Sequence, residues 1–415
     1  MHRSLIVSAI VMVGSVATPV SRAGDWPQIL GPARSGRAAD DERLPATLPA
    51  AGPRASWRRP VGSGYAGVAV AGGRVFLFHR VDDVERLEAL EAATGRTLWT
   101  LDQPTTFAPQ VGGNRGPLCV PVVAGDRVVT FGAQGMLTCA ATDSGRRLWQ
   151  RDTHREYGAQ EGYFGAGSTP LVSGDRVIAN VGGSRREAGI VAFALADGTT
   201  LWTKTAEPAS YSAPVAVIVG GRPHVLMLTR YQCLLLDPAD GTVGWQFPFG
   251  QRGPTVNAAA PVTLPDGALV VTASYGIGSV CAAFDERGTT RRWEGVESLA
   301  TQYCTPIAHG EHLYGFDGRE DGPPGALVCL EARSGRRAWE IPALGYGHVI
   351  AAGDRLLAVK TDGEIVLLAA DPRQPTLLGR ARPLTGAVRA APALAGGLLF
   401  LRDDTTLVAL QVNTD

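Results

Sequence analysis

An all-β fold is what this sequence predicts: a β-propeller of eight four-stranded antiparallel blades, with the last blade closed by an N-terminal strand. Three observations carry that prediction. A tryptophan-ended phrase recurs six times, a second landmark recurs eight times at spacings of 43 to 53 residues, and glycine-containing turns punctuate short alternating runs. Units of about 46 residues fall in the range of four-stranded propeller blades.

The phrase is clearest in CAATDSGRRLWQ (139–150) and CLEARSGRRAWE (329–340), and it has four further copies ending at Trp99, Trp202, Trp245 and Trp293. Its first position is small in five copies, as at Ala89, Cys139, Ala192, Ala283 and Cys329, and an acidic residue is common at the third. Glycine holds the seventh position in five copies and slips to Gly288 in the other. The second landmark precedes each phrase, as in VPVVAGDRVVTF (120–131) and TPLVSGDRVIAN (169–180). It is anchored at Val68, Pro121, Pro170, Pro214, Pro261, Pro306, Val349 and Pro392.

Each unit parses in order. An alternating strand ends at a turn such as Gly125-Asp126 or Asp266-Gly267, dipeptides that supply the positive φ a tight hairpin needs. A second strand follows, then a third ending at the acidic position, then the glycine turn and a fourth strand carrying the tryptophan. Helical periodicity is absent after the N-terminal leader. The eighth unit stops near Gln411 with no room for a fourth strand, and Ala55-Ser56-Trp57-Arg58 stands unclaimed at the front. An N-terminal strand that closes the last blade would remove the free edges that invite aggregation.

The first 23 residues read as an export signal. His2 and Arg3 lead into an apolar run, Leu5 to Val16, and Ser21-Arg22-Ala23 sets small residues at the usual cleavage positions. Residues 24–51 are then an N-terminal extended segment, and residues 52–415 a single propeller. No cysteine follows the cleavage site and no later run is long enough to span a bilayer. These features predict a periplasmic or secreted protein without membrane span or lipid anchor, expected to be a monomer. Its 39 basic and 39 acidic residues cancel, which argues against nucleic acid or an anionic membrane as the main partner.

The small-x-acidic-xxx-Gly-xxx-Trp phrase resembles the tryptophan-docking motif of pyrroloquinoline-quinone (PQQ)-type propeller repeats over roughly residues 52–413. The resemblance implies that Trp57, Trp99, Trp149, Trp202, Trp245, Trp293 and Trp339 each pack on the turn of a neighbouring blade. Asp25-Trp26-Pro27-Gln28, with Gly31-Pro32 and Gly36, is similar to the opening of an exported bacterial subgroup of that family. The family includes quinoprotein dehydrogenases and an envelope scaffold propeller of outer-membrane assembly, so the resemblance predicts fold and leaves function open.

Six cysteines in an exported chain raise the question of disulfides. Cys119, Cys139, Cys304 and Cys329 stand where other repeats place Ala, Ser or Gly, so a buried free thiol is expected. Cys119 with Cys139, or Cys304 with Cys329, would lie on the first and third strands of one blade, about 9–10 Å apart. A disulfide needs Cα atoms within about 7 Å. Cys233 and Cys281, on third strands of adjacent blades, could approach, but nothing in the sequence demands it.

Propellers usually bind ligands at the axial end where the innermost strands begin. Here that rim is expected to hold Tyr65, Arg115, Tyr163, Tyr211, Asn257, Tyr303, Tyr346, His348 and Arg389, with Asn114, Gln160, Glu161 and Gln302 nearby. The loops 100–118 and 150–166 are the longest between blades and the best places for blade-specific function. His309 and His312 fall in a hairpin turn, where a solvated role is expected. No catalytic residue and no metal site is assigned, since no nucleophile elbow, HExxH run or close Cys/His cluster occurs.

The sequence therefore predicts a non-catalytic binding propeller of the bacterial cell envelope, with a protein or glycan partner and no cofactor. The alternative is a PQQ-dependent alcohol dehydrogenase with calcium. By the resemblance, such an enzyme would carry an adjacent cysteine pair, which this chain lacks. Glu161 and Asn257 are the candidate calcium ligands, calcium requiring hard oxygen donors.

Overall fold

The computed structural model describes residues 24–412, and the export signal expected over residues 1–23 lies outside them. Eight antiparallel sheets of four strands form a ring in which the first strands of neighbouring blades touch. Blade 1, for example, runs Val68–Ala71, Arg74–Val81, Val84–Glu91 and Thr97–Pro104. Blade 8 takes three strands from the C-terminus and its fourth from the front, where Ala55–Pro60 pairs with Thr406–Gln411. The ring is thus closed by hydrogen bonds between the two ends of the chain, with Ala55–Pro60 as the outer strand of blade 8.

The all-strand reading needs one addition. Thr153–Tyr157 forms a single α-helical turn, capped by Asp152, whose side chain accepts from the Arg155 N–H, and ended by Gly158 in the left-handed region. A 3-10 turn covers Arg185–Glu187. Neither is long enough to leave a helical period in the sequence.

Seven tryptophans lock consecutive blades. Each indole N–H donates to a carbonyl in the turn of the next blade: Trp57 to Ala92 (2.8 Å), Trp99 to Thr142 (3.0 Å) and Trp149 to Leu195 (2.9 Å). Trp202, Trp245, Trp293 and Trp339 do the same to Pro238, Asp285, Ala332 and Asp371. The glycine of the phrase makes this possible. Gly95 has φ +71°, and a Cβ there would stand 2.7 Å from the Trp57 ring.

Two blades depart from the phrase. In blade 5 the residue opposite Trp293 is Cys281, where blades 1 and 2 place Ala89 and Cys139. The small position is therefore Cys281, not Ala283, because the paired strands of this hairpin, Gly278–Phe284 and Thr289–Gly295, carry two more residues between it and the tryptophan. Phe284 meets the incoming Trp245 edge-on there, with centroids 5.6 Å apart. In blade 7 the tryptophan position is Gly379, for which the neighbour offers no turn, because blade 8 takes its fourth strand from the N-terminus. Leu48 fills the gap: its N–H donates to Leu378 O, and a Cβ on Gly379 would meet it at 2.8 Å.

Residues 24–51 extend across the face that carries the hairpin turns between first and second strands. Trp26, 1% exposed, pairs with Val70 of blade 1; the Pro27 carbonyl accepts from Val123 of blade 2, and Arg37 bridges to Ala351 of blade 7. Leu30 packs against Ala213, Val215 and Ala260 on the first strands of blades 4 and 5. Arg34, 2% exposed, donates to the carbonyls of Thr169, Pro170 and Pro214 and to the Gln28 side chain. Burial lowers its pKa to about 9, still a cation at neutral pH. His309, expected in a solvated hairpin, sits in that hairpin half-buried, 2.7 Å from the Arg37 guanidinium of this segment.

All six cysteines are buried and free. Burial pushes the Cys139, Cys281, Cys304 and Cys329 thiols up to about 11, and Cys119 and Cys233 further. They stay protonated at neutral pH and act as small apolar side chains.

Candidate functional site

The face opposite the N-terminal segment is built from two sets of loops, those that lead into each first strand and those that join second to third strands. Up-and-down blades deliver both to the same end. The polar residues there form two groups.

The first group is an ion-pair network that joins blades 6, 8 and 1. The Arg389 guanidinium donates to Glu320 through Nε (2.8 Å) and Nη2 (2.7 Å), and through Nη1 to the Tyr65 hydroxyl (2.7 Å). Tyr303 donates to the other Glu320 oxygen at 3.0 Å. The carboxylate raises the Arg389 pKa, and burial, followed by the Glu320 charge, lifts that of Tyr303. Tyr346 lies beneath, 3% exposed. Its hydroxyl accepts from the N–H groups of Tyr303 and Cys304 and pairs with Thr301 at 2.7 Å. His348 is buried, with Nε2 2.9 Å from the Arg389 carbonyl, and burial holds it below the ordinary histidine range.

The second group is an open cleft of about 950 Å³ to one side of the ring, over blades 2 to 5. Its walls come from the 150–167 connection, the turn after Asn180, the 206–211 connection, the Arg230-Tyr231 turn and Gly253-Pro254. Tyr163, Tyr211 and Tyr231 supply its aromatic surface. The Tyr211 hydroxyl accepts from the Phe164 N–H at 3.1 Å. Glu161 accepts from Gln134 (3.0 Å) and Arg230 donates to the Gly253 carbonyl (2.7 Å).

The rim residues read from sequence are thus divided. Tyr65, Tyr303 and Arg389 meet in the network, with His348 and Tyr346 packed under it, while Tyr163 and Tyr211 line the cleft. Arg115 is exposed on its own loop, its carbonyl accepting from Arg80 at 3.2 Å. Asn257 is 1% exposed, and its amide donates to the carbonyls of Thr229, Arg230 and Phe249. Glu320, Arg230, Tyr231 and Asn180 escaped the sequence reading because they lie at or beside second-to-third-strand turns. The unusual length of 318–325 was the available signal for Glu320.

The donor set was tested against a PQQ–calcium centre. Asn257 is 1% exposed, and among the described residues no group of three His, Cys, Asp or Glu side chains could hold a metal. Arg230 is the only Lys or Arg among the described residues that line the cleft, too little charge for a quinone cofactor that carries three carboxylates. These residues do not fit that group.

A family model described as outer membrane protein assembly factor BamB matches residues 36–163, 83–341 and 324–414, together nearly the whole ring. The chain belongs to this family. Among solved structures, BamB from Moraxella catarrhalis is similar over 81% of this chain and 96% of its own, at TM-score 0.57 and 16% identity. A europium-containing methanol dehydrogenase is similar over 91% of this chain and 89% of its own, at TM-score 0.67 and 11% identity. The quinohemoprotein alcohol dehydrogenase from Comamonas testosteroni follows at TM-score 0.51, 14% identity, and coverage of 96% and 82%. At these identities the likenesses show a shared fold, present in scaffold and enzyme alike. No curated protein matches this chain in sequence.

Proposed function

We propose that this BamB-family chain is a non-catalytic binding propeller of the bacterial cell envelope, periplasmic or secreted. It acts as a monomer and recognises a protein or glycan through the face that the N-terminal segment leaves open. One observation carries the reading: Leu30 and Arg34 cover the inner strands of blades 3 to 5 from one side, while the opposite face presents the tyrosine-lined cleft. Recognition by loops on a rigid ring is the common use of such a scaffold. The dehydrogenase reading lacks support from the donor set, since no group of three His, Cys, Asp or Glu side chains among the described residues could hold a metal.

Equilibrium dialysis of the mature protein against PQQ, with and without calcium, tests the choice. The expected result is no retention above a protein-free control under either condition. Tight, calcium-dependent uptake would overturn the proposal and restore the quinoprotein alternative.

A further inference from the structure

Asn180 is 2% exposed and lines the cleft, yet its Oδ1 has no hydrogen-bond partner. Its Nδ2 is engaged with the Leu228 carbonyl at 3.2 Å and the Ser210 hydroxyl at 3.4 Å, which fixes the amide's orientation. A second cleft residue, His154, also has a buried ring nitrogen, Nδ1, without a partner. A buried polar atom left unpaired costs about 1–3 kcal/mol, and most such atoms in native proteins are satisfied. Two in one cleft point to a ligand that supplies the missing partners.

The rest of the lining narrows the chemistry. Glu161 and Arg230 balance in charge, so a polyanion or polycation finds no matching field. None of the exposed large aliphatic side chains (Leu98, Val111, Leu201, Ile218, Val296 and Leu377) lines the cleft, so its apolar surface is that of the tyrosine rings. What remains is a molecule rich in hydroxyl donors, with apolar patches to lay on tyrosine rings, which combine an apolar face with a polar tip.

We propose that the cleft over blades 2 to 5 binds a neutral oligosaccharide, with a sugar hydroxyl donating to Asn180 Oδ1 and sugar rings packed on Tyr163 and Tyr231. This deepens the binding-propeller reading and rests on it. Its test is a glycan array of neutral and acidic oligosaccharides, followed by calorimetric titration of the strongest neutral ligand. Wild-type protein is expected to bind, and Tyr231→Ala and Asn180→Ala to weaken binding by about tenfold or more, one lost hydrogen bond with its stranded partner being worth that much. Tyr231 is half-buried, so Tyr231→Ala is expected to leave the melting temperature unchanged, which keeps the test valid if Asn180→Ala folds poorly. Absence of neutral-glycan binding, preference for a polyanion, or indifference to Tyr231→Ala would overturn the assignment. If a captured envelope protein instead proves sensitive to Tyr231→Ala, the cleft is a protein site: this inference fails and the binding reading stands.

Discussion

His79 shows how one side chain ties stability to pH. It is 3% exposed in blade 1, and its Nδ1 accepts from the Gly62 N–H at 2.9 Å. Burial, followed by the nearby charges of Arg402, Arg59 and Arg86, lowers its pKa from 6.5 to about 3. The folded state therefore holds a neutral imidazole where the unfolded chain would take up a proton. Its contribution to stability is complete above 6.5 and is lost as the pH falls from there through about 3. Denaturant midpoints measured across that window should fall less steeply for His79→Gln than for wild type. Equal slopes would mean that His79 is not held neutral. Arg34 makes a second case at this scale. Arg34→Ala strands carbonyls of Thr169 and Pro214 in the interior, at about 1–3 kcal/mol for each group left unsatisfied. Chemical denaturation should register the loss, and a variant as stable as wild type would contradict Arg34 as the tie between the N-terminal segment and blades 3 and 4.

Strands and loops were not equally legible in the sequence. The blades could be read because each repeats one solution to the same problem: alternating strands, a turn that tolerates positive φ, and a tryptophan that needs glycine beneath it. Where another solution replaces that one, the pattern misleads. Blade 5 extends the paired strands of its outer hairpin and packs Phe284 against Trp245, so the small position moved to Cys281. Blade 7 has no turn to dock on, so Gly379 takes the tryptophan's place and Leu48 covers it. Leu48 is 8% exposed, and Leu48→Ala is expected to cost about 2–5 kcal/mol in a denaturation experiment. A thermally and chemically silent Leu48→Ala would show that the segment is not part of the core. The loops were harder still. Position along the chain placed Tyr65, Tyr303 and Tyr346 near one end, but only packing separates Tyr65 in the ion-pair network from Tyr346 under the backbone. Asn180 and Glu320 carry no motif, and their placement depends on which turns the blade topology brings together.

At the scale of the molecule, the two ends of the chain do different work. Pairing of Ala55–Pro60 with Thr406–Gln411 closes the ring, and Trp57 bolts that seam to blade 1. Trp57→Ala should cost about 3–5 kcal/mol and lower the melting temperature, as large aromatic truncations in a core do. The residues just before that strand cross one face, where Leu30 and Arg34 cover the inner strands of blades 3 to 5, and the proposed recognition belongs to the other face. That asymmetry is the central claim, and face-directed capture from envelope extract tests it most directly. Three baits are compared: wild type, an open-face variant carrying Arg115→Ala and Tyr163→Ala, and a covered-face variant carrying Asp40→Ala and Asp41→Ala, both exposed. The account expects a defined ligand, protein or glycan, held by wild type and the covered-face variant and lost by the open-face variant. Loss through the covered-face changes alone, or recovery of only abundant contaminants by all three baits, would contradict it.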